Sequence, residues 1–233
     1  MTRTDQYRTR LRALDRRDWP AFLGEHSGLP GPRANIELGR AVADEGDPAV
    51  FDRLIASDEE YLVFCGVLGL GRRLAEKPDA ALVGQLKHQA ADGRWRVREA
   101  VAMALQRVGD ADLPRLLDLA ARWAGDPAPL VQRAAVAGLC EPRLLTEAPA
   151  AARALEACAT ATESLAARPL AERTDPGVRA LRQTLGYGWS VAVAADPTAG
   201  LPRFQELRIS ADRDVQWIVR ENCRKARLAH LLP

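Results

Sequence analysis

Apolar residues recur along this chain at helical rather than alternating spacing. Pro48 to Ile55, Ala80 to Ala90, Leu113 to Ala124 and Leu201 to Ile209 each carry them three and four residues apart, giving one apolar stripe per segment. A second set follows these segments, in which Val63 and Val67, Val97 and Val101, Val131 and Ala135, and Val219 and Cys223 form stripes of the same kind. The pattern predicts hairpins of two amphipathic helices. One hairpin cannot bury its stripes alone, so stacked neighbours are required.

Aspartates set the phase of the second helices. Asp58-Glu-Glu-Tyr61-Leu-Val63, Asp92-Gly-Arg-Trp95-Arg-Val97 and Asp126-Pro-Ala-Pro129-Leu-Val131 begin 34 residues apart, Asp214-Val-Gln-Trp217-Ile-Val219 repeats the pattern, and Asp175-Pro-Gly-Val178 is a weaker copy. Each aspartate is placed to cap a helix N-terminus, where amides lack intrahelical partners. Eight residues on stand Gly66, Ala100, Ala134 and Asn222, small enough to let a neighbouring helix approach closely. Ala148 to Ala167 reads as a longer helix and stretches the interval between Asp126 and Asp175 to 49 residues.

At the N-terminal end, Tyr7 to Leu14 and Trp19 to Leu23 read as short helices. Gly28-Leu-Pro30-Gly31-Pro32 forces a turn, Asn35 to Val42 resumes helical spacing, and Gly46-Asp47-Pro48 closes one helix and opens the next. The expected fold is all-α, a right-handed α-solenoid of stacked antiparallel helix hairpins forming a single domain over 1–233. It divides into N-terminal capping helices over 1–46, regular repeats over 47–146, an irregular longer repeat over 147–195 and a C-terminal repeat over 196–233.

Composition agrees with this. Only 5% of residues are aromatic although 47% are hydrophobic, which favours closely packed helices over a sandwich of β-branched and aromatic side chains. A net charge of +2 demands neither a nucleic acid nor an acidic membrane as partner. The longest apolar run, Leu62 to Leu70, is about half a bilayer span, so no membrane partner is expected. Met1 to Leu14 is arginine-rich without an apolar segment, so a cytoplasmic location is expected. Cys65, Cys140, Cys158 and Cys223 contain no C-x-x-C pair and signal neither zinc nor a redox dithiol.

Asp92 followed six residues later by Arg98, and Asp214 followed likewise by Arg220, resemble the HEAT-repeat pattern, whose turn aspartates and second-helix arginines form ladders between repeats. Asp126-Pro-Ala-Pro-Leu-Val131 is similar, although Gln132 stands in place of the arginine, as Phe64 does in the first copy. The resemblance covers 47–146 and 196–230 well and the remaining segments loosely. It implies fold rather than activity, because such arrays serve as scaffolds, regulators and a few enzymes. A narrower resemblance links Trp95-Arg-Val-Arg98 and Trp217-Ile-Val-Arg220 to the HEAT-like bacterial alkylpurine DNA glycosylases, which carry a tryptophan followed by arginines at a helix start. No catalytic aspartate carries over from that family.

Functional information is concentrated in the aromatic and cationic positions near the starts of second helices. Tyr61, Trp95 and Trp217 stand three residues after their aspartates; Arg94, Arg96 and Arg98 surround Trp95; Arg133, Arg220 and Arg224 are further candidates. An exposed tryptophan can anchor a peptide or stack on a base, but it also serves as a wedge between repeats. Clustered arginines suit phosphate or an acidic partner surface, but also pair with the acids beside them. His26, His88 and His230 are isolated, and Gly66-Val-Leu-Gly69-Leu-Gly71 fits close helix packing better than a phosphate loop. No catalytic residue, cofactor or metal is therefore expected. The leading expectation is a non-catalytic scaffold or adaptor that binds a protein or peptide; the second is a DNA-binding protein of the alkylation-repair type.

Overall fold

The computed structural model describes residues 1–232, and among them lie fourteen α-helices and no strand. They fall into two compact units, Met1–Ala111 and Asp112–Pro233. The first contains α1 (Arg3–Ala13), α2 (Trp19–Glu25), α3 (Ile36–Glu45), α4 (Pro48–Ile55), α5 (Glu60–Glu76), α6 (Ala80–Ala90) and α7 (Trp95–Ala111). The second contains α8 (Leu113–Ala124), α9 (Pro129–Leu139), α10 (Ala148–Ala167), α11 (Pro176–Ala195), α12 (Pro197–Arg208), α13 (Arg213–Cys223) and α14 (Ala226–Ala229).

In the first unit α3, α5 and α7 pack in succession, with α4 and α6 against α5 and α6 against α7. The centre is α5, whose residues from Tyr61 to Gly71 are all buried. Glycines allow this: a Cβ at Gly71 would sit 2.6 Å from the Cα of Ala104 on α7, so the two backbones meet where no side chain fits. The same logic governs the second unit, where α9, α11 and α13 follow one another, α8 packs on α9 and α10, and α12 bridges α11 and α13. Burying these stripes removes Val63, Val67, Val97, Val101, Val131 and Ala135 almost wholly from water.

Turn chemistry fixes the helix starts. Asp47 Oδ1 accepts from Val50 N at 3.0 Å and caps α4, and Asp175 caps α11 in the same way through Gly177 N. The aspartates that open the first three copies, Asp58, Asp92 and Asp126, do not act as caps. Asp92 Oδ1 accepts from Arg94 N and Asp126 Oδ1 from Ala128 N, each closing a tight turn two residues on, before α7 and α9 begin. Asp58 also precedes α5 without capping it, the cap position being Glu59, which makes no side-chain capping bond. At the last copy Asp212 is the cap and Asp214 lies inside the first turn of α13.

That displacement changes the register. Trp95 is the first residue of α7, whereas Trp217 is the fifth of α13, more than one turn further in. The two tryptophans are alike in distance from an aspartate but not in place on a helix. The stripe of α13 shifts accordingly to Val215, Ile218 and Asn222, and Val219 and Cys223 remain only half-buried. Asn222 is not a small spacer but a buried clamp: its Oδ1 accepts from Ser190 N at 2.7 Å and its Nδ2 donates to Leu185 O and Ile218 O, each at 2.8 Å.

Candidate functional site

The arginines near the helix starts are engaged with the turns that precede them. Arg94 holds the Asp92 carboxylate with two nitrogens, at 2.9 and 2.6 Å, and reaches back to Asp58 O at 3.2 Å. Arg96 donates to Pro32 O at 2.7 Å and to Glu99 Oε2 at 2.8 Å, while its own amide donates to Glu60 Oε1 at 2.8 Å. Arg98 donates to Asp92 O and Gly93 O at 2.6 and 2.7 Å, so it grips the backbone carbonyls of the turn before α7. The guanidinium of Arg94 draws the Asp92 carboxyl below the usual carboxylate range. Three turns of the first unit are tied together in this way.

Beside this lacing lies a cleft of about 820 Å³. Pro20, Ala21 and Gly24 of α2 form one side, Leu29 to Gly31 another, and the starts of α5 and α7 the rest through Glu59, Glu60, Leu62, Trp95 and Arg96. The size suits a bound side chain or small ligand. Gly28, at φ 76°, lets the chain reverse into the Leu29 to Gly31 wall. Trp95 is 48% exposed, with the Arg98 guanidinium 5.9 Å from its ring centre. Arg96 also borders a second, more polar cleft lined by Tyr7, His26, Arg33 and Glu37.

Tyr61 presents little surface to a contact. Although it touches the cleft, it is 4% exposed, stacks on Phe64 and donates its hydroxyl to Asn35 O at 2.7 Å. Burial pushes its phenol above the ordinary range. Asn35 in turn donates to Tyr7 Oη and His26 O and caps α3, so Tyr61 anchors the N-terminal loop to α5.

In the second unit, Arg133 is buried within α9 and cannot meet a partner directly. Trp217 is half-buried, with the Arg182 guanidinium 4.8 Å from its ring centre; Gly186 on α11 makes room for the ring. Arg182 is itself held by the Asp214 carboxylate at 2.5 Å. Arg173 reaches Asp212 at 2.5 Å, Asp214 at 3.2 Å, Arg168 O and Ala166 O, and Arg168 reaches Pro127 O at 2.6 Å. Burial pushes the Asp212 carboxyl up, but the Arg173 hydrogen bond and the amides of Val215 and Asp214 outweigh it and leave the group below its usual value. Arg220 and Arg224 are exposed on the last long helix, and Arg224 pairs with Glu221 at 2.5 Å.

Of the nine positions singled out in the sequence, the first unit thus gathers Tyr61, Trp95 and Arg96 at one cleft and spends Arg94 and Arg98 on turns. The cleft walls from α2 and the Leu29 to Gly31 segment were not foreseen as site residues, because turn residues reveal a bend but not what the bend faces. Also unforeseen is the approach of Cys140 Sγ to Cys158 Sγ at 3.7 Å inside the second unit. Eighteen residues and a change of helix separate them, a spacing that no dithiol motif would reveal.

No family model and no curated protein matches this chain. Among solved structures, an engineered protein determined by the Northeast Structural Genomics Consortium is similar at 18% identity over 99% of this chain and 98% of that one, with a TM-score of 0.39. That score carries no argument about architecture or function.

Proposed function

We propose that this protein is a non-catalytic, HEAT-like helical-repeat adaptor that captures a segment of a partner protein in the cleft at Trp95. The observation that carries this reading is the half-exposed indole at the head of α7, bordering an open cleft whose apolar side is formed by Pro20, Ala21, Leu29 and Pro30. Large aromatics in desolvatable pockets supply much of the energy of protein recognition. The lacing of successive turns supports the repeat reading, since each unit repeats the same device of a guanidinium seated on an earlier turn. The nucleic-acid reading draws less support, because Arg94, Arg96 and Arg98 already bind carboxylates and carbonyls and Glu59 and Glu60 stand in the cleft wall.

The test is selection from a displayed library of short peptides against the full chain, followed by affinity measurement of the winners on wild type and Trp95→Ala. Enriched peptides that lose on the order of tenfold or more in affinity on Trp95→Ala, with no change in melting temperature, are expected. Winners indifferent to Trp95, or an absence of winners beside salt-sensitive binding of duplex DNA, would reject the reading.

A further inference from the structure

We infer that the occupant of the Trp95 cleft is a basic segment, presenting a lysine or arginine to Glu59 and Glu60 and an apolar neighbour to the indole. This rests on the peptide-binding reading above and adds the chemistry of the bound segment. Negative charge is left over in the cleft. Two carboxylates and one guanidinium line the cleft. The guanidinium, on Arg96, is turned to Glu99 and to Pro32 O, and its side chain is only 17% exposed. Arg94 is neutralised by Asp92, and Arg98 is seated on the carbonyls of Asp92 and Gly93.

The acids are spent less completely. Glu59 is exposed and makes no capping bond, and Glu60 gives one oxygen to the Arg96 amide. Both sit at the amino end of α5, where the helix dipole tolerates negative charge. Such a wall repels phosphodiesters and acidic peptides and attracts a cation. The indole adds a second feature suited to the same side chain, because a cation is drawn to its face while the stem of a lysine or arginine packs on apolar surface. Pro20, Ala21 and Leu62 then receive the neighbouring apolar residue.

Three synthetic peptides test this on the full chain: a selected sequence, and versions with its basic residues changed to glutamine or to glutamate. The basic peptide is expected to bind on the order of tenfold tighter than the glutamine version, and the glutamate version weakest of all. The gap should narrow as salt rises, since these charges are near solvent. Glu59→Lys should erase the preference with the melting curve unchanged, and Glu206→Lys on α12 should leave it intact. Equal affinity for the three peptides, with Trp95→Ala still abolishing binding, would overturn the basic-occupant inference and spare the peptide site. Binding untouched by Trp95→Ala would overturn both.

Discussion

The two units use the same kind of sequence, an aspartate followed by a tryptophan and arginines, to opposite ends. In the first, Trp95 opens α7 and stands half in solvent over a cleft. In the second, Trp217 lies a turn inside α13 and packs on α11, against Arg182 and the space left by Gly186. The difference arises from which aspartate caps the helix. Asp212 caps α13 and draws the chain into helix earlier, so the tryptophan faces a neighbouring helix instead of the edge of the unit. A repeat position is thus structural or exposed according to register, a matter of a few residues at a helix start.

This contrast can be broken most forcefully at Arg173, whose side chain is 9% exposed and holds two carboxylates and two carbonyls. Arg173→Ala is expected to destabilise the second unit by about 3 kcal/mol in chemical denaturation, because it leaves the partly buried Asp212 without its counterion and Asp214 with Arg182 alone. Arg94→Ala, at a more solvated site of the first unit, should cost only about 1 kcal/mol. Equal losses would mean that the two lacings are energetically alike.

Next in size is the pair of tryptophan variants. Trp217→Ala should cost roughly 2 kcal/mol, less than a fully buried tryptophan because the ring keeps some contact with water. Trp95→Ala should change stability by no more than about 0.5 kcal/mol. If Trp95→Ala is the more damaging of the two, the division into a structural and a presenting tryptophan fails.

A smaller effect should appear in acid. Asp92 and Asp212 titrate below the usual carboxylate range in the folded chain. A depressed folded value means that their stabilisation is complete above the unfolded pKa of about 3.9 and is lost as pH falls through the folded values. Arg94→Ala raises the folded value of Asp92 towards the unfolded one, so the acid limb of stability against pH should become shallower. An unchanged slope would show that the pair contributes nothing through this route.

The least perturbing probe is thiol labelling of the native chain. Cys65, Cys140 and Cys158 are buried, and burial raises the Cys65 thiol while the neighbouring Cys140 and then burial raise that of Cys158. Cys223, partly exposed, should react first, with the other three following only as their unit opens. Early labelling at Cys158 would indicate that the second unit opens more readily than its packing suggests.

Much of the fold was legible in the sequence. The ends of α4, α6, α8 and α10 agree with the amphipathic segments residue for residue, because Pro48, Pro114 and Pro149 mark starts and the apolar period continues to each end. The start of α12 was missed: the helix begins at Pro197, capped by Asp196, before its apolar stripe does. Asp47 and Asp175 cap as expected, but Asp92 and Asp126 do not, because an aspartate can close a tight turn as readily as it caps a helix, and only the backbone path decides between the two. The site was half legible. Trp95 and Arg96 were singled out, but Tyr61 and Arg133 proved buried, since spacing from an aspartate reports phase along the chain and not the height of the neighbouring helix.

The seats of the lacing arginines carry a consequence for the sequence itself. Arg94, Arg96 and Arg168 grip the main-chain oxygens of Asp58, Pro32 and Pro127, groups that every amino acid supplies. A fastening of this kind is blind to the letters of the turn it holds. The residues of the turns at Pro32, Asp58 and Pro127 can therefore change while the mechanical joint stays the same, so long as the main-chain oxygen keeps its place.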